Sequence, residues 1–261
     1  MINDKYEIIN IINNGNYGKV YKVKYNNNFY ALKEETSDDS ILLNEANIYK
    51  ELRFIKNVGK MKDYFRLNNK SYLVLNLYDK NLVQIKFEKY NSINYINLLN
   101  IIFTNIFKTL ENIHNYGYLH RDIKPSNICV DVNNEPFIID FGFSKKYIIN
   151  NSHIKEKNIK SVIGSYSFIS KNIYNLIEPS RRDDIESLIY VYIYMIISKD
   201  HEKYIINLKI NNNIYIKNLL TLSNIELKIV NNIIEILDYI KTLKFETQPN
   251  YNYILNLLIK R

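Results

Sequence analysis

The first 78 residues alternate between short apolar runs and polar turns. Four of these runs have the alternation or the β-branched and aromatic content typical of strands: Tyr6–Ile12, Val20–Tyr25, Phe29–Glu34 and Tyr72–Leu77. Before the last run, Ser40–Leu52 places its apolar residues at the three- and four-residue spacing of a helix. The pattern predicts an N-terminal region of strands with one main helix.

The rest of the chain has mainly the apolar periodicity of helices. Asn94–Tyr116 carries one apolar stripe and is followed by Gly117, a residue type that often ends a helix. Further helices are predicted at Arg182–Ser198, Ile225–Leu243 and Tyr251–Lys260. Strands first and helices afterwards predict an α+β fold with a small β-rich N-lobe and a larger helical C-lobe.

The composition is that of a folded globular protein, with 46% apolar and 24% charged residues. The formal net charge of +8 would attract acidic partners, but an ordinary basic surface is sufficient to explain it. The single cysteine, Cys129, cannot form an intrachain disulfide, which is typical of a reducing compartment. The N-terminus lacks a secretory signal and no apolar run reaches membrane-spanning length. We expect an intracellular protein in the cytoplasm or the nucleus, with no membrane span.

Two short motifs in the N-terminal region could handle phosphate groups. Gly15-Asn16-Tyr17-Gly18 lies between two predicted strands, where glycine lets a hairpin approach phosphates closely. Taken by itself, this motif is better explained as a plain hairpin turn. Lys33 lies on the next predicted strand, and Glu45 on the first helix can neutralise it. An exposed lysine with no such partner is the alternative.

Two further motifs follow the long helix and carry groups for proton transfer and metal binding. In the stretch His120–Asn127, Asp122 can accept a hydroxyl proton and Lys124 can stabilise a transferred phosphoryl group. Asn127 and Asp140, which begins Asp-Phe-Gly, offer the oxygen ligands that Mg²⁺ prefers. All functional positions of the eight-residue stretch are filled, so a purely structural turn is a poor explanation.

The order and spacing of the four motifs resemble the eukaryotic protein kinases. Within them the chain is similar to the casein kinase I group nearly from end to end. The group-specific stretches are Asn44–Lys50, Ser180–Ser187, Leu243–Glu246 and Pro249–Tyr253. The vaccinia-related kinases are the sister possibility, but they typically have Gly-Asp where Arg121-Asp122 stands here.

The resemblance implies one protein kinase domain over residues 1–261, with an N-lobe to about residue 76, a hinge at about 76–79 and a C-lobe from about 80. It implies a monomer that uses ATP and Mg²⁺ to phosphorylate serine or threonine in protein substrates. The implied catalytic residues are Lys33, Glu45, Asp122 and Lys124, and the implied metal ligands are Asn127 and Asp140. The implied nucleotide-binding residues are Gly15, Gly18, Val20, Ala31, Lys33, Asn76, Leu77, Tyr78 and Ile128.

The resemblance also assigns two supporting roles. Ser165 falls where serine/threonine kinases use a hydroxyl to brace the catalytic aspartate and lysine, and Asp184 falls where a carboxylate holds the catalytic loop. The segment Phe143–Ile163 contains five lysines, which would suit acidic or already phosphorylated substrates. A solvated loop explains these lysines equally well, and no specific nucleic-acid motif is present.

Two departures from the family pattern bear on function. Asn13 replaces the first glycine of the phosphate loop, and Lys199–Asn218 lacks the Pro-Trp segment common to the group. The alternative function is a catalytically weak, kinase-like scaffold that binds nucleotide and partners, and Asn13 is its only support. Every residue implied in proton transfer and metal binding is retained.

Overall fold

The strands of the N-terminal region form one antiparallel sheet with the spatial order β1-β2-β3-β5-β4. They are β1 (Glu7–Gly15), β2 (Gly18–Tyr25), β3 (Asn28–Glu35), β4 (Met61–Leu67) and β5 (Lys70–Asn76). The four predicted strands are present, and β4 is an additional strand that the sequence pattern did not predict. The computed structural model describes residues 1–15, 18–35, 41–89, 94–196 and 224–259.

Two asparagine pairs make the tight turns of this sheet. Asn26-Asn27 joins β2 to β3 and Asn68-Asn69 joins β4 to β5, and all four residues have positive φ. Two-residue loops with both residues at positive φ match the twist of the flanking strands, and asparagine tolerates that backbone conformation. These turns fix the register of the sheet and therefore the positions of the side chains on β2 and β3.

Helix α1 (Ile41–Glu51) connects the sheet to the rest of the molecule. Its buried face carries Ala46 and Tyr49, which belong to the same apolar core as the helices of the C-terminal part. The same face also carries Glu45, which is only 2% exposed. A smaller cluster, formed around Tyr6 and Leu32, is separate from this core. Helix α1 therefore brings a charged residue into the interior between the two parts of the fold.

The C-terminal part is built from helices, as the apolar periodicity predicted. They are α2 (Leu82–Lys89), α3 (Tyr95–Asn115), α4 (Lys171–Tyr174), α5 (Arg181–Ile196), α6 (Asn224–Thr242) and α7 (Tyr251–Ile259). Every residue of α5 from Asp183 to Met195 is buried, so this helix is the centre of the lobe. After α3, Gly117 has a φ of +86° and donates its N–H to the carbonyl oxygen of His114, which confirms the predicted helix end.

Short strands carry the loops that connect the two parts. β6 (Lys80–Asn81), β8 (Ile128–Val130) and β9 (Pro136–Ile138) form one small sheet. β7 (Tyr118–Leu119) pairs with β10 (Lys145–Lys146), and β11 (Ile148–Ile149) pairs with β12 (Ser152–His153). The segment from His120 to Asn127 lies between β7 and β8 and ends in a 3₁₀ turn.

The predicted α+β, two-lobed fold class is confirmed. The proposed lobe boundaries at about residues 76 and 80 stay a prediction. The departure at Lys199–Asn218 lies outside the described residues, and so does the predicted end of one helix at Ser198. No helix in the described part of the chain combines the length and apolar content needed to cross a lipid bilayer.

Candidate active site

Asp184, in the first turn of α5, holds the segment that carries Asp122 through hydrogen bonds to its backbone. The Asp184 carboxylate accepts hydrogen bonds from the backbone N–H of His120 at 2.7 Å and of Arg121 at 2.8 Å. It also accepts one from His114 Nε2 at 3.0 Å. Burial opposes the ionised form of Asp184, but these donors outweigh it and lower the pKa of the carboxyl group. An ionised carboxylate thus fixes the backbone just before Asp122.

Asp122 lies at the centre of a small polar cluster and is 4% exposed. Its Oδ2 accepts a hydrogen bond from Lys124 Nζ at 2.8 Å, and its Oδ1 accepts two from Ser165, N–H at 2.9 Å and hydroxyl at 2.8 Å. Lys124 Nζ also donates to Ser165 Oγ at 3.0 Å. Asn127 Nδ2 donates to the backbone carbonyl of Asp122 at 2.9 Å. The structure brings together Asp122, Lys124, Asn127 and Ser165, from two distant parts of the chain.

Gly164 is required for Ser165 to approach this closely. Its φ is +92°, and a Cβ at this position would lie 2.5 Å from the carbonyl oxygen of Arg121. Both the backbone conformation and the contact exclude a side chain without rearrangement. The segment from Phe143 to Ser165, called the activation segment below, therefore packs at its C-terminal end directly on the backbone of the Asp122 loop.

A second cluster joins the sheet, α1 and the Asp-Phe-Gly motif. Lys33 Nζ lies 2.7 Å from Glu45 Oε1 and 2.8 Å from Asp140 Oδ1. The predicted partnership of Lys33 with Glu45 is present, and the alternative of an exposed lysine is wrong, because the Lys33 side chain is only 19% exposed. Sequence reasoning did not foresee that Asp140 would contact the same ammonium group.

The three charges of this cluster shift one another's pKa values. Burial disfavours the charged form of Lys33, but the two carboxylates outweigh it and raise the pKa of the lysine. Burial also raises the pKa of Glu45, to about 7, against the opposing effect of Lys33. For Asp140 the charge of Lys33 overcomes burial and lowers the pKa to about 2. Two carboxylates share one ammonium, and the more deeply buried Glu45 takes up a proton first.

The Asp-Phe-Gly motif is anchored from α1. Phe141 is fully buried, with its ring against Tyr49 at 5.0 Å and His120 at 5.1 Å between centroids. The hydroxyl of Tyr49 accepts a hydrogen bond from the N–H of Asp140 at 2.9 Å, and Asp140 itself has a φ of +69°. This conformation turns the Asp140 carboxylate toward Lys33 while Phe141 points into the core.

The residues expected to bind nucleotide are spread over the sheet and the connection to the C-lobe. Val20 pairs with Lys33, Ala31 pairs with Leu75, and Asn76 ends β5. Gly15 and Gly18 pair at the tip of the β1–β2 hairpin, and Asn16 and Tyr17 lie outside the described residues. A Cβ at Gly18 would overlap the carbonyl oxygen of Glu34, so this position requires glycine.

The connection after β5 contains Leu77 and Tyr78, both partly buried. The ring of Tyr78 stacks on Phe137 at 4.4 Å between centroids, and its hydroxyl accepts a hydrogen bond from the N–H of Lys60 at 3.2 Å. These contacts attach the connection to β9 and to the residue just before β4. They hold the segment expected to contact adenine in one position relative to both lobes.

One expected nucleotide contact needs correction. Ile128 is 0% exposed and belongs to the main core, so it has no surface to offer a purine. Side chains alternate along β8, and Cys129 between Ile128 and Val130 is partly exposed. Cys129, rather than Ile128, therefore lies on the open face of this strand.

Sequence reasoning missed Glu178, a residue of the segment between α4 and α5. Its carboxylate is buried and lies 2.6 Å from Lys145 Nζ, 3.9 Å from Lys157 Nζ and 4.0 Å from Arg121 Nη1. Its N–H donates to the carbonyl oxygen of Lys157 at 2.9 Å. One carboxylate thus joins the Asp122 loop, the strand after Asp-Phe-Gly and the activation segment. The sequence offers only a weak signal for this role, namely three basic residues scattered along the chain: Arg121, Lys145 and Lys157.

Comparisons with known proteins give the family. A model described as protein kinase domain matches residues 6–243, and the chain belongs to the protein kinase family. It is 32% identical to a probable casein kinase I homolog of Encephalitozoon cuniculi, over 98% of this chain and 84% of that protein. It is 26% identical to a probable serine/threonine-protein kinase of Dictyostelium discoideum, over 74% of this chain and 41% of that protein. The predicted resemblance to the casein kinase I group is confirmed.

The fold agrees with that of a solved kinase structure. The structure of vaccinia related kinase 3 superposes with a TM-score of 0.76 at 18% identity, covering 97% of this chain and 85% of that one. At this identity the likeness concerns the fold alone. This solved structure belongs to the vaccinia-related kinases, the sister possibility that the sequence motifs favoured less than the casein kinase I group.

Proposed function

We propose that the chain is an active serine/threonine protein kinase that transfers the γ-phosphate of Mg-ATP to hydroxyl groups of protein substrates. The observation that carries this proposal is the set of hydrogen bonds that Asp122 accepts from Lys124 and Ser165. A carboxylate fixed in this way can accept a hydrogen bond from a substrate hydroxyl and orient its oxygen toward phosphorus.

In the proposed reaction the substrate oxygen forms a bond to the γ-phosphorus as the bond to the β–γ bridging oxygen breaks. The hydroxyl proton passes to Asp122, and ADP leaves. Lys124, whose Nζ lies 2.8 Å from Asp122, would stabilise the charge on the transferred phosphoryl group. Lys33, held by Glu45, would bind the α- and β-phosphates. Most of the rate enhancement would come from positioning and electrostatic stabilisation.

The residues present fit Mg²⁺ bound together with a nucleotide. No group of three or more His, Cys, Asp or Glu in the described ranges could hold a metal by itself. Mg²⁺ usually takes only one or two protein ligands and completes its octahedron with waters and phosphate oxygens. Asp140 offers a carboxylate that stays ionised, since Lys33 holds its pKa at about 2. Asn127 turns its amide nitrogen toward Asp122, which leaves the amide oxygen as the atom suited to a cation. Bound Mg²⁺ would neutralise charge on the β- and γ-phosphates.

The specificity for serine and threonine rests on Lys124 and Ser165. These two residues contact each other at 3.0 Å and both contact Asp122, in the arrangement that the family resemblance assigns to serine/threonine kinases. Acidic or already phosphorylated proteins are the substrates we propose, because Lys155 and Lys160 lie exposed on the activation segment.

The test is transfer of labelled γ-phosphate from Mg-ATP to dephosphorylated casein, followed by analysis of the phosphorylated amino acids. The wild type should form phosphoserine or phosphothreonine, and Asp122→Asn should lose at least about 100-fold in kcat. Asp238→Asn, on the exposed surface of α6, is the matched control and should behave as the wild type. If the wild type binds Mg-ATP and transfers nothing, the scaffold alternative takes precedence and Asn13→Gly becomes the first variant to make.

A further inference from the structure

Asp184 is itself held by a chain of buried side chains that reaches the last described helix. His114, at the end of α3, places Nε2 3.0 Å from Asp184 Oδ2. Its other ring nitrogen, Nδ1, lies 2.6 Å from the hydroxyl of Tyr251, the first residue of α7. His114 is 0% exposed and Tyr251 is 5% exposed, so water cannot readily replace either contact.

The direction of these hydrogen bonds follows from the charges. Asp184 is ionised and only accepts, so His114 Nε2 must carry the proton and donate it. Burial lowers the pKa of His114, so the ring is neutral and Nδ1 is an acceptor. Burial raises the pKa of Tyr251, so its hydroxyl stays protonated and donates a hydrogen bond to Nδ1. Tyr251 therefore donates a hydrogen bond to His114, and His114 donates one to Asp184.

We propose that Tyr251 and His114 are positioning residues for phosphoryl transfer and act through Asp184 on the backbone of His120 and Arg121. Tyr251 donates to Nδ1 and thereby stabilises the ring tautomer and orientation in which Nε2 donates to Asp184. Asp184 then has three N–H donors, one from α3 and two from the loop that carries Asp122. The packing of α7 thereby influences the geometry of the loop that carries Asp122, through His114 and Asp184 rather than through a direct contact.

The same histidine is fixed through its backbone as well. The carbonyl oxygen of His114 accepts hydrogen bonds from the hydroxyl of Tyr147 at 2.7 Å and from the N–H of Gly117 at 2.9 Å. These bonds hold the backbone of His114 in place, and loss of the Tyr251 hydroxyl would leave the buried Nδ1 without its donor. The expected response is a ring that samples the other tautomer and a weaker hold on Asp184.

The test compares Tyr251→Phe, which removes only the hydroxyl, with Tyr253→Phe on the same helix. The Tyr253 hydroxyl donates to Glu235 Oε1 at 2.7 Å and has no link to His114, so it is a matched control. In Tyr251→Phe, kcat for casein should fall about tenfold while KM for ATP stays within about twofold. In the background of His114→Gln, Tyr251→Phe should add little further loss, because the two residues act in one chain.

The kinetic part rests on the proposed function, so a second measurement is independent of activity. Amide hydrogen exchange should be about tenfold faster at His120 and Arg121 in Tyr251→Phe and unchanged in Tyr253→Phe. The ¹⁵N spectrum of the four histidines should show His114 protonated at Nε2 in the wild type and shifted in Tyr251→Phe.

The outcomes separate the two proposals. An inactive wild type refutes the proposed function, and the exchange rates still decide whether Tyr251 positions the loop. Unchanged exchange at His120 and Arg121, or unchanged kcat in an active protein, overturns the positioning proposal. Faster exchange by the same factor throughout α3 and α7 also overturns it, because Tyr251 would then only pack the helices together.

Discussion

Ser165 donates two hydrogen bonds to one carboxylate oxygen of Asp122, from its backbone N–H at 2.9 Å and from its hydroxyl at 2.8 Å. Both bonds come from the activation segment, 43 positions along the chain from Asp122. The other carboxylate oxygen accepts from Lys124. The position of Asp122 therefore depends on the activation segment as well as on its own loop.

Ser165→Ala should lower kcat by about 10-fold to 100-fold and leave KM for ATP nearly unchanged. The substitution removes one donor to Asp122 and the hydroxyl contact to Lys124, while the nucleotide contacts stay in place. Ser165→Thr retains the hydroxyl and should keep most of the activity. Steady-state kinetics on casein measure the effect, with Ser161→Ala on the exposed part of the same segment as control. Wild-type kcat in Ser165→Ala would show that the hydroxyl does not support Asp122.

Glu178→Gln should loosen the activation segment. The carboxylate is the shared partner of Lys145, Lys157 and Arg121, and its loss leaves the partly buried guanidinium of Arg121 without this charge. We expect a loss of about 1–3 kcal/mol in the free energy of unfolding, a lower kcat and faster proteolysis within residues 143–163.

The same residue bears on regulation. Since a built-in carboxylate already holds the bases around the segment, phosphatase treatment should leave the activity of the wild type unchanged. Glu156→Gln is the control for Glu178→Gln, because Glu156 lies on the activation segment with a half-exposed side chain and its carboxylate lies 3.6 Å from Arg182. Loss of activity after phosphatase treatment would mean that the Glu178 carboxylate is not sufficient to hold the activation segment and that phosphorylation is required as well.

The motifs and the longer elements could be predicted from the sequence because each is encoded locally. The helices were predicted from their apolar stripes, and the candidate site was predicted from the order of residues within His120–Asn127. Strand β4 was missed because charged Lys62, Asp63 and Arg66 interrupt its apolar pattern, although the Asn68-Asn69 turn was a usable signal.

The contacts that local patterns cannot encode were the ones that prediction missed. The choice between Ile128 and Cys129 depends on which face of a three-residue strand meets the core, and alternation alone leaves that open. Glu178 lies 33 positions from Lys145 and 21 from Lys157, and nothing in the spacing indicates that they meet. Such contacts follow only from the tertiary fold.

The stability of the nucleotide-free protein should depend on pH through Glu45. Burial raises the pKa of this carboxyl from 4.5 to about 7, so the folded state binds a proton more tightly than the unfolded state. Its contribution is fully present below about pH 4.5 and is lost as the pH rises to about 7. The wild type should therefore lose stability relative to Glu45→Gln across this range, and the difference should stay constant above it. Urea unfolding between pH 5 and 8 measures the difference, with Glu51→Gln on the same helix as control. A difference that does not change with pH would place the pKa of Glu45 below this range.

Gly164→Ala should be more harmful than Gly117→Ala, although both glycines have similar positive φ, +92° and +86°. The shared backbone strain should cost each variant about 1 kcal/mol. At Gly117 the new Cβ would make only an ordinary contact, 3.4 Å from Ile148. At Gly164 it would lie 2.5 Å from the carbonyl oxygen of Arg121, so the activation segment must move away from the Asp122 loop.

Because Ser165 follows Gly164 directly, that movement should pull its hydroxyl away from Asp122. Gly164→Ala should therefore lose stability beyond the loss in Gly117→Ala and should also lose about tenfold or more in kcat. Gly117→Ala should keep the wild-type kcat. Thermal unfolding and casein kinetics on the two variants measure both effects. Equal losses in both variants would mean that backbone strain, rather than the contact with Arg121, explains why glycine stands before Ser165.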